Sequence, residues 1–166
     1  MIAYKFLRPG RVAPFTGFQW QQGEWAGVDG RPLLCGRGVH ACRPGDLPYW
    51  INRELWEIEL AGLVVEGQRK VLAQRGRLLR PIEAWNAAAE AEFARACAAR
   101  SRAFADAIPD DAELGAVAED AEAYAATGLA HVVQYVAAVA ADRAGGPEGR
   151  LAERQAQATW LAENVL

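Results

Sequence analysis

Glu54-Leu55-Trp56-Glu57-Ile58-Glu59-Leu60 alternates with a period of two. Trp56, Ile58 and Leu60 fall on one face and Leu55, Glu57 and Glu59 on the other, as in a β-strand with one face in a core. Upstream, Ala3 to Arg8 has the composition of an opening strand, and Pro9, Gly10, Pro14 and Gly17 punctuate the chain after it. Phe18 to Trp20 and Leu33 to Cys42 are shorter candidates. Between Cys42 and Glu54, Asp46 is placed as an N-cap with Pro48 in the first turn, which predicts a short helix. Downstream, Gly62 and Gly67 bracket a turn region, and Lys70 to Arg80 supplies one more strand or a bent pair interrupted near Gly76.

Beyond residue 82 the period changes. Trp85, Ala89, Phe93 and Cys97 recur every four residues, with Phe104 and Ile108 continuing an Ala-rich helix that Pro109 stops. Asp110 or Asp111 can cap a second helix with Leu114, Val117, Ala121 and Tyr124 as its stripe, and Thr127-Gly128 ends it. A third helix runs through Val132, Val136 and Val139. Gly145-Gly146-Pro147 forms a turn, and Leu151, Ala158, Leu161 and Val165 mark a closing helix. The pattern predicts an α+β protein: a small mixed or antiparallel sheet with a short helix over residues 1–82, packed against an Ala-rich helical lobe over residues 83–166.

The chain has 166 residues, 52% of them hydrophobic and 23% charged, enough to bury a core without staples. No apolar run approaches the length of a membrane span, and the first residues lack the apolar core of a signal peptide, so a cytoplasmic protein is expected. Three cysteines are few for a secreted framework, although the spacing leaves a Cys35–Cys42 bridge open. Sixteen arginines against two lysines, with abundant alanine, fit a GC-rich bacterial genome. The net charge of −3 conceals an asymmetry, because residues 1–80 carry twelve basic and seven acidic side chains, and residues 81–166 carry six and fourteen. The basic residues look scattered and the total is acidic, so a nucleic-acid partner is not expected; a small-molecule ligand is, and the acidic helices offer a surface for a protein partner or a homodimer.

Chemistry concentrates in Leu34-Cys35-Gly36-Arg37-Gly38-Val39-His40-Ala41-Cys42. Cys35, His40 and Cys42 are donors that suit zinc, with Glu57, Glu59 or water as a fourth ligand if the strands are adjacent. The spacing is not that of a zinc finger, and buried cysteines beside a hydrogen-bonded histidine are the plainer reading. His40 can act as a general acid or base with Glu57 or Glu59 orienting it, in a cleft between the Gly38 to Cys42 and Leu55 to Leu60 strands. Cys42, two residues from His40, is also a possible nucleophile. Trp20, Trp25 and Trp50, with Tyr49 beside Trp50, are candidate pocket walls. His131 and Tyr135, one helical turn apart, suggest a packed pair, and Cys97 belongs to a helix core.

Gly17-Phe18-Gln19-Trp20, Leu34-Cys35, Gly38-Val39-His40-Ala41-Cys42, the Leu55 to Leu60 strand with Gly62, and Lys70-Val71-Leu72-Ala73 together resemble an uncharacterised domain family of phages and bacteria. Its most specific element is Cys-x-x-Gly-Phe-His-x-Cys, in which Val39 stands here for Phe. The resemblance covers roughly residues 3–82 and implies a shared fold without an activity. A more distant similarity is to ADP-ribosyltransferases, in which Arg8, His40, Glu57 and Glu59 would line a nicotinamide-nucleotide cleft. That family's Ser-Thr-Ser element is absent, and Glu57 and Glu59 lie inside the strand rather than in the loop before it. The function expected is therefore a small-molecule enzyme or ligand-binding domain, with a non-catalytic interaction module as the alternative.

Overall fold

The computed structural model describes residues 1–34 and 36–166. It is an α+β protein that divides into two compact units, Met1–Glu83 and Ala84–Leu166. Among the described residues, no helix is long and apolar enough to cross a membrane.

The first unit is built on an antiparallel sheet of five strands: β1 (Ile2–Leu7), β2 (Ala26–Gly27), β3 (Val39–Ala41), β4 (Glu54–Glu66) and β5 (Val71–Pro81). The long β4–β5 hairpin is its backbone. β1 pairs with the first half of β4, Tyr4 opposite Glu57 and Phe6 opposite Leu55. The far edge of β5 takes β3 at Val71–Ala73 and β2 at Arg75–Gly76. The ladder then closes on itself, because Tyr4 and Cys42 exchange both backbone hydrogen bonds, at 2.9 and 2.7 Å. The order β1–β4–β5–β3–β1 makes a small ring with an inside and an outside.

The alternation read from the sequence decides which side chains enter. Trp56, Ile58 and Leu60 face the interior with Ala3, Leu7 and Val39, and Trp20 is packed among them. Phe6 and Leu55 are buried on the opposite parity, and the short 3-10 helix (Pro44–Tyr49) lies against β1. Its N-cap is Arg43 rather than Asp46. Asp46 sits at the third helical position, and its carboxylate accepts from the Arg43 backbone N–H at 3.4 Å and from Nε at 2.6 Å. An acidic residue can serve a helix start from the third position as well as from the cap, which is why sequence alone misplaced it.

Gly62 was expected to open a turn and does not, and of the two readings of Lys70 to Arg80 the single strand is the one formed. β4 runs through Gly62, whose φ of +76° accommodates a register shift between Ala61 and Val64, so the turn comes only at residues 67–70. β5 is continuous through Gly76, where space is the constraint: a Cβ there would stand 2.7 Å from Val39 Cγ1 and 3.1 Å from Ile58 Cδ1. Phe18 to Trp20 makes only a single bridge, Val12 to Gln19, and the Leu33 to Cys42 candidate contracts to Val39–Ala41.

In the second unit, α1 (Ala87–Ala107) starts at Asn86, whose side chain accepts from the Ala88 and Ala89 N–H groups. α2 (Ala112–Ala126) starts at Asp111, which accepts from the Leu114 N–H at 3.0 Å and is gripped by Arg143. α3 (Ala130–Asn164) is broken at Gly145 and Gly146, the latter at φ +63°, with Pro147 opening its second arm. The arms fold back on each other, since Gln134 meets Arg154 and Gln157 across the break. Small residues fill the contacts: Ala94, Ala118, Ala121, Ala137, Ala138 and Ala141 are all buried.

α3 runs through Val132, Val136 and Val139 as expected; these are half-buried, with Val133, Ala137 and Ala140 fully buried beside them, and Leu151 is exposed. His131 and Tyr135 are also exposed, not a buried packed pair. Cys97 is core, as read, with Phe93 one turn before it.

A polar network occupies the bundle interior. Arg100 makes a two-pronged bond to Glu153 at 2.7 and 2.9 Å, Glu153 accepts from Gln157 at 2.7 Å, and Arg154 donates to Gln157 at 2.9 Å and to the Gln134 side chain. Glu153 is 2% exposed, so removing it takes from Arg100 the carboxylate it is paired with in the bundle interior. Glu153→Ala should lower the stability of the helical unit by about 3 kcal/mol, read as the shift of its urea midpoint by circular dichroism. Gly76→Ala should destabilise the sheet unit by about 1–3 kcal/mol through overpacking, read from the midpoint of tryptophan fluorescence.

Candidate functional site

β3 sets the place of His40. Val39 and Ala41 enter the interior cluster, so the imidazole between them projects to the outside of the ring, half-buried and opposite Leu72 of β5. Nε2 is buried without a hydrogen-bond partner among the described residues. Burial, then the positive charges of Lys70 and Lys5, lower the His40 pKa to about 4. The imidazole is neutral at neutral pH, and the charges acting on it are cations rather than the expected carboxylates.

Glu57 and Glu59 share the outside of the ring but are not adjacent to His40. β3 and β4 are not neighbours: β5 separates them on one side and β1 on the other, an interval of about 10 Å across two strand spacings. Each carboxylate also has a partner of its own, Glu57 with Arg80 at 2.7 Å and Glu59 with Arg77 at 2.8 Å. The space expected as a cleft between the Gly38 to Cys42 and Leu55 to Leu60 segments is occupied by a strand. Sequence alternation reveals that strands exist and which face is apolar, but not their lateral order.

Cys42 carries a free, buried thiol whose pKa burial pushes up to about 12. It is protonated at neutral pH, the wrong state for a nucleophile or a ready metal ligand. Among the described residues, no group of three His, Cys, Asp or Glu side chains is placed to hold a metal ion. Cys35, the remaining member of the suggested zinc set, lies outside the described residues.

Tyr49 and Trp50, at the end of the 3-10 helix, form a corner with the β4–β5 turn. The Arg69 guanidinium lies 4.5 Å from the Tyr49 ring centroid, the Lys70 ammonium lies 5.6 Å from that of Trp50, and Trp50 Nε1 donates to the Arg69 carbonyl at 2.7 Å. Phe15, 84% exposed, stands edge-on to Trp50 at 6.1 Å. Lys70 joins this corner electrostatically to His40. Thus two of the residues singled out in the sequence, Tyr49 and Trp50, meet here with Arg69 and Lys70, the cations to which sequence reading gave no role in the site. Their signal was adjacency to the Lys-Val strand.

Arg8 and Trp20 lie elsewhere. Arg8 pairs through its backbone with Val12 in a tight loop, and its side chain reaches the Ala13 carbonyl at 3.4 Å. Trp20 is 4% exposed, with Phe18 edge-on at 5.3 Å and Nε1 buried without a partner among the described residues. Lys5 covers its ring at 5.3 Å and donates to the His40 carbonyl at 2.6 Å. Burial lowers the Lys5 pKa to about 8. Lys5 was also missed, although its parity with Ala3 and Leu7 marks it as a charge on an inward face.

No family model matches the chain, and neither does any curated protein or solved structure.

The His40 shift has a pH consequence. The unfolded chain binds a proton at this residue below about 6.5, the folded chain only below about 4. Between those values the unfolded state holds the extra proton, so stability rises with pH there and is lost as pH falls. His40→Gln should remove this part of the loss, seen as a urea midpoint that falls less than the parent's from pH 7 to pH 4.

Proposed function

We propose that the sheet unit is a ligand-binding domain for a small, planar, anion-bearing molecule of the nucleotide type, seated at the corner of His40, Tyr49, Trp50, Arg69 and Lys70. The observation that carries this reading is the pair of cations held over the Tyr49 and Trp50 rings, one of which, Lys70, also acts electrostatically on His40, whose buried Nε2 has no partner among the described residues. A buried polar atom without a partner costs free energy, and a ligand hydroxyl or N–H that donated to it would recover that cost. The rings offer a stacking surface, and Arg69 and Lys70 offer charge to a phosphate or carboxylate.

Binding is favoured over acid–base catalysis. A histidine with a pKa near 4 is a weak base for chemistry at neutral pH, and the carboxylates that an ADP-ribosyl transfer would need, Glu57 and Glu59, are engaged by arginines. A nicotinamide nucleotide remains a member of the ligand class. In the transferase version, Glu57 would have to exchange Arg80 for a substrate group.

Calorimetric titration with nucleoside monophosphates and a nicotinamide dinucleotide tests the reading. Saturable binding should weaken at least tenfold in Trp50→Ala and in Lys70→Ala, and hardly change in Glu57→Gln. Absence of saturable binding, or binding indifferent to Trp50→Ala, would overturn it.

A further inference from the structure

Aromatic–cation pairs recur in the sheet unit. Among its described residues five cations lie within about 6 Å of a ring centroid. Four of the five pairs draw their cation from one stretch, Arg69, Lys70, Arg75 and Arg77, along and just before β5. Five of the twelve basic residues of the first eighty fall between 69 and 80, a local concentration on β5 and the two residues before it.

The second concentration lies at the middle of β5. Trp25, 43% exposed just before β2, has Arg77 at 4.9 Å and Arg75 at 5.6 Å from its ring centroid. Arg77 is paired with Glu59, whereas Arg75 is exposed and makes no ion pair with any described residue. Trp25 and Arg75 thus repeat the chemistry of Trp50 and Lys70. Lys70 and Arg75 are five residues apart, about 17 Å along an extended strand. A mononucleotide engages one such platform, and a ligand that uses both must present planar groups and negative charges repeatedly.

We infer that β5 is a track for single-stranded nucleic acid, with the Trp50 corner and Trp25 as two stacking platforms and Arg69, Lys70 and Arg75 as the phosphate contacts. The inference rests on the proposed ligand site for its first platform and adds the second. Every base has a face to stack on aromatic rings, so such a track is tolerant of sequence. An acidic peptide would use the arginines but has no need of exposed rings beside them. The overall acidity of the chain does not oppose this, because the excess of acidic residues lies in residues 81–166.

The test is fluorescence anisotropy on the full chain with labelled thymidine oligonucleotides of two, four, eight and twelve nucleotides, alongside the mononucleotide titration. Affinity should rise with length up to the span of both platforms. With about three phosphates neutralised, log affinity should fall with log salt at a slope near −2. Trp25→Ala and Arg75→Gln, both at exposed positions, should weaken the eight-nucleotide strand at least tenfold and leave mononucleotide binding unchanged. Oligonucleotide binding no tighter than mononucleotide binding, indifference to Trp25→Ala, or equal competition by polyglutamate would each overturn the track. If mononucleotides bind and depend on Trp50 in those same experiments, the ligand site stands while the track falls. If mononucleotides do not bind but oligonucleotides do, and depend on Trp25, the first reading fails and the strand surface remains.

Discussion

The pair of hydrogen bonds between Tyr4 and Cys42 is the contact on which the sheet unit depends. Without it, β1 and β3 would be edges of an open sheet, each presenting unpaired backbone groups. With it, the ladder has an interior, and the parity of every strand acquires a meaning. Lys5 reinforces the same seam, because its ammonium reaches from β1 to the His40 carbonyl on β3. A lysine on an inward-facing parity is explained by this reach: backbone pairing between the two strands is confined to one bridge, and the side chain adds a bond that the short ladder lacks. The closure also places the imidazole of His40 outside and the Trp20 indole inside, so two aromatic heterocycles near one lysine serve different surroundings.

The fold class was legible in the sequence wherever a period was strict. The Leu55 to Leu60 alternation put Trp56, Ile58 and Leu60 in the core, and the Phe93 and Cys97 spacing found the buried face of α1. In α3 the helix was legible but its buried face was not, because alanine fills so many positions that several faces look equally apolar; burial there is deepest at Val133 and Ala137. Glycine was the source of ambiguity. Gly62 looked like the start of a turn and instead sits at a register shift through which β4 continues, and at Gly76, where a single strand and a bent pair were both open, close packing goes with the single strand.

The candidate site was legible in part. His40, Tyr49 and Trp50 were recognised as residue types with uses; Tyr49 and Trp50 meet at one corner, and Lys70 of that corner acts electrostatically on His40. Their connection was not visible, because it runs through Lys70 and Arg69, which in sequence are two ordinary basic residues ahead of a strand. The expected partnership of His40 with Glu57 and Glu59 failed on strand order, a property that depends on the whole ring closing and that no local pattern contains. Similar side chains in a different lateral order would have made an acid–base site. As arranged, the carboxylates neutralise arginines of their own hairpin.

Arg43 joins three parts of this unit at once. Its guanidinium meets Asp46 in the 3-10 helix, Glu66 at the end of β4, and the carbonyls of Gly67 and Gln68 in the turn. The next two residues of that turn are Arg69 and Lys70, so the position of the aromatic corner is inherited from an arginine that touches none of its rings. For natural variation this means that Arg43 is constrained as tightly as a contact residue while having no ligand of its own. Lysine cannot replace its forked geometry. Its work is to hold a hairpin end against a helix, so a change at Arg43 reaches the aromatic corner through the backbone of the turn.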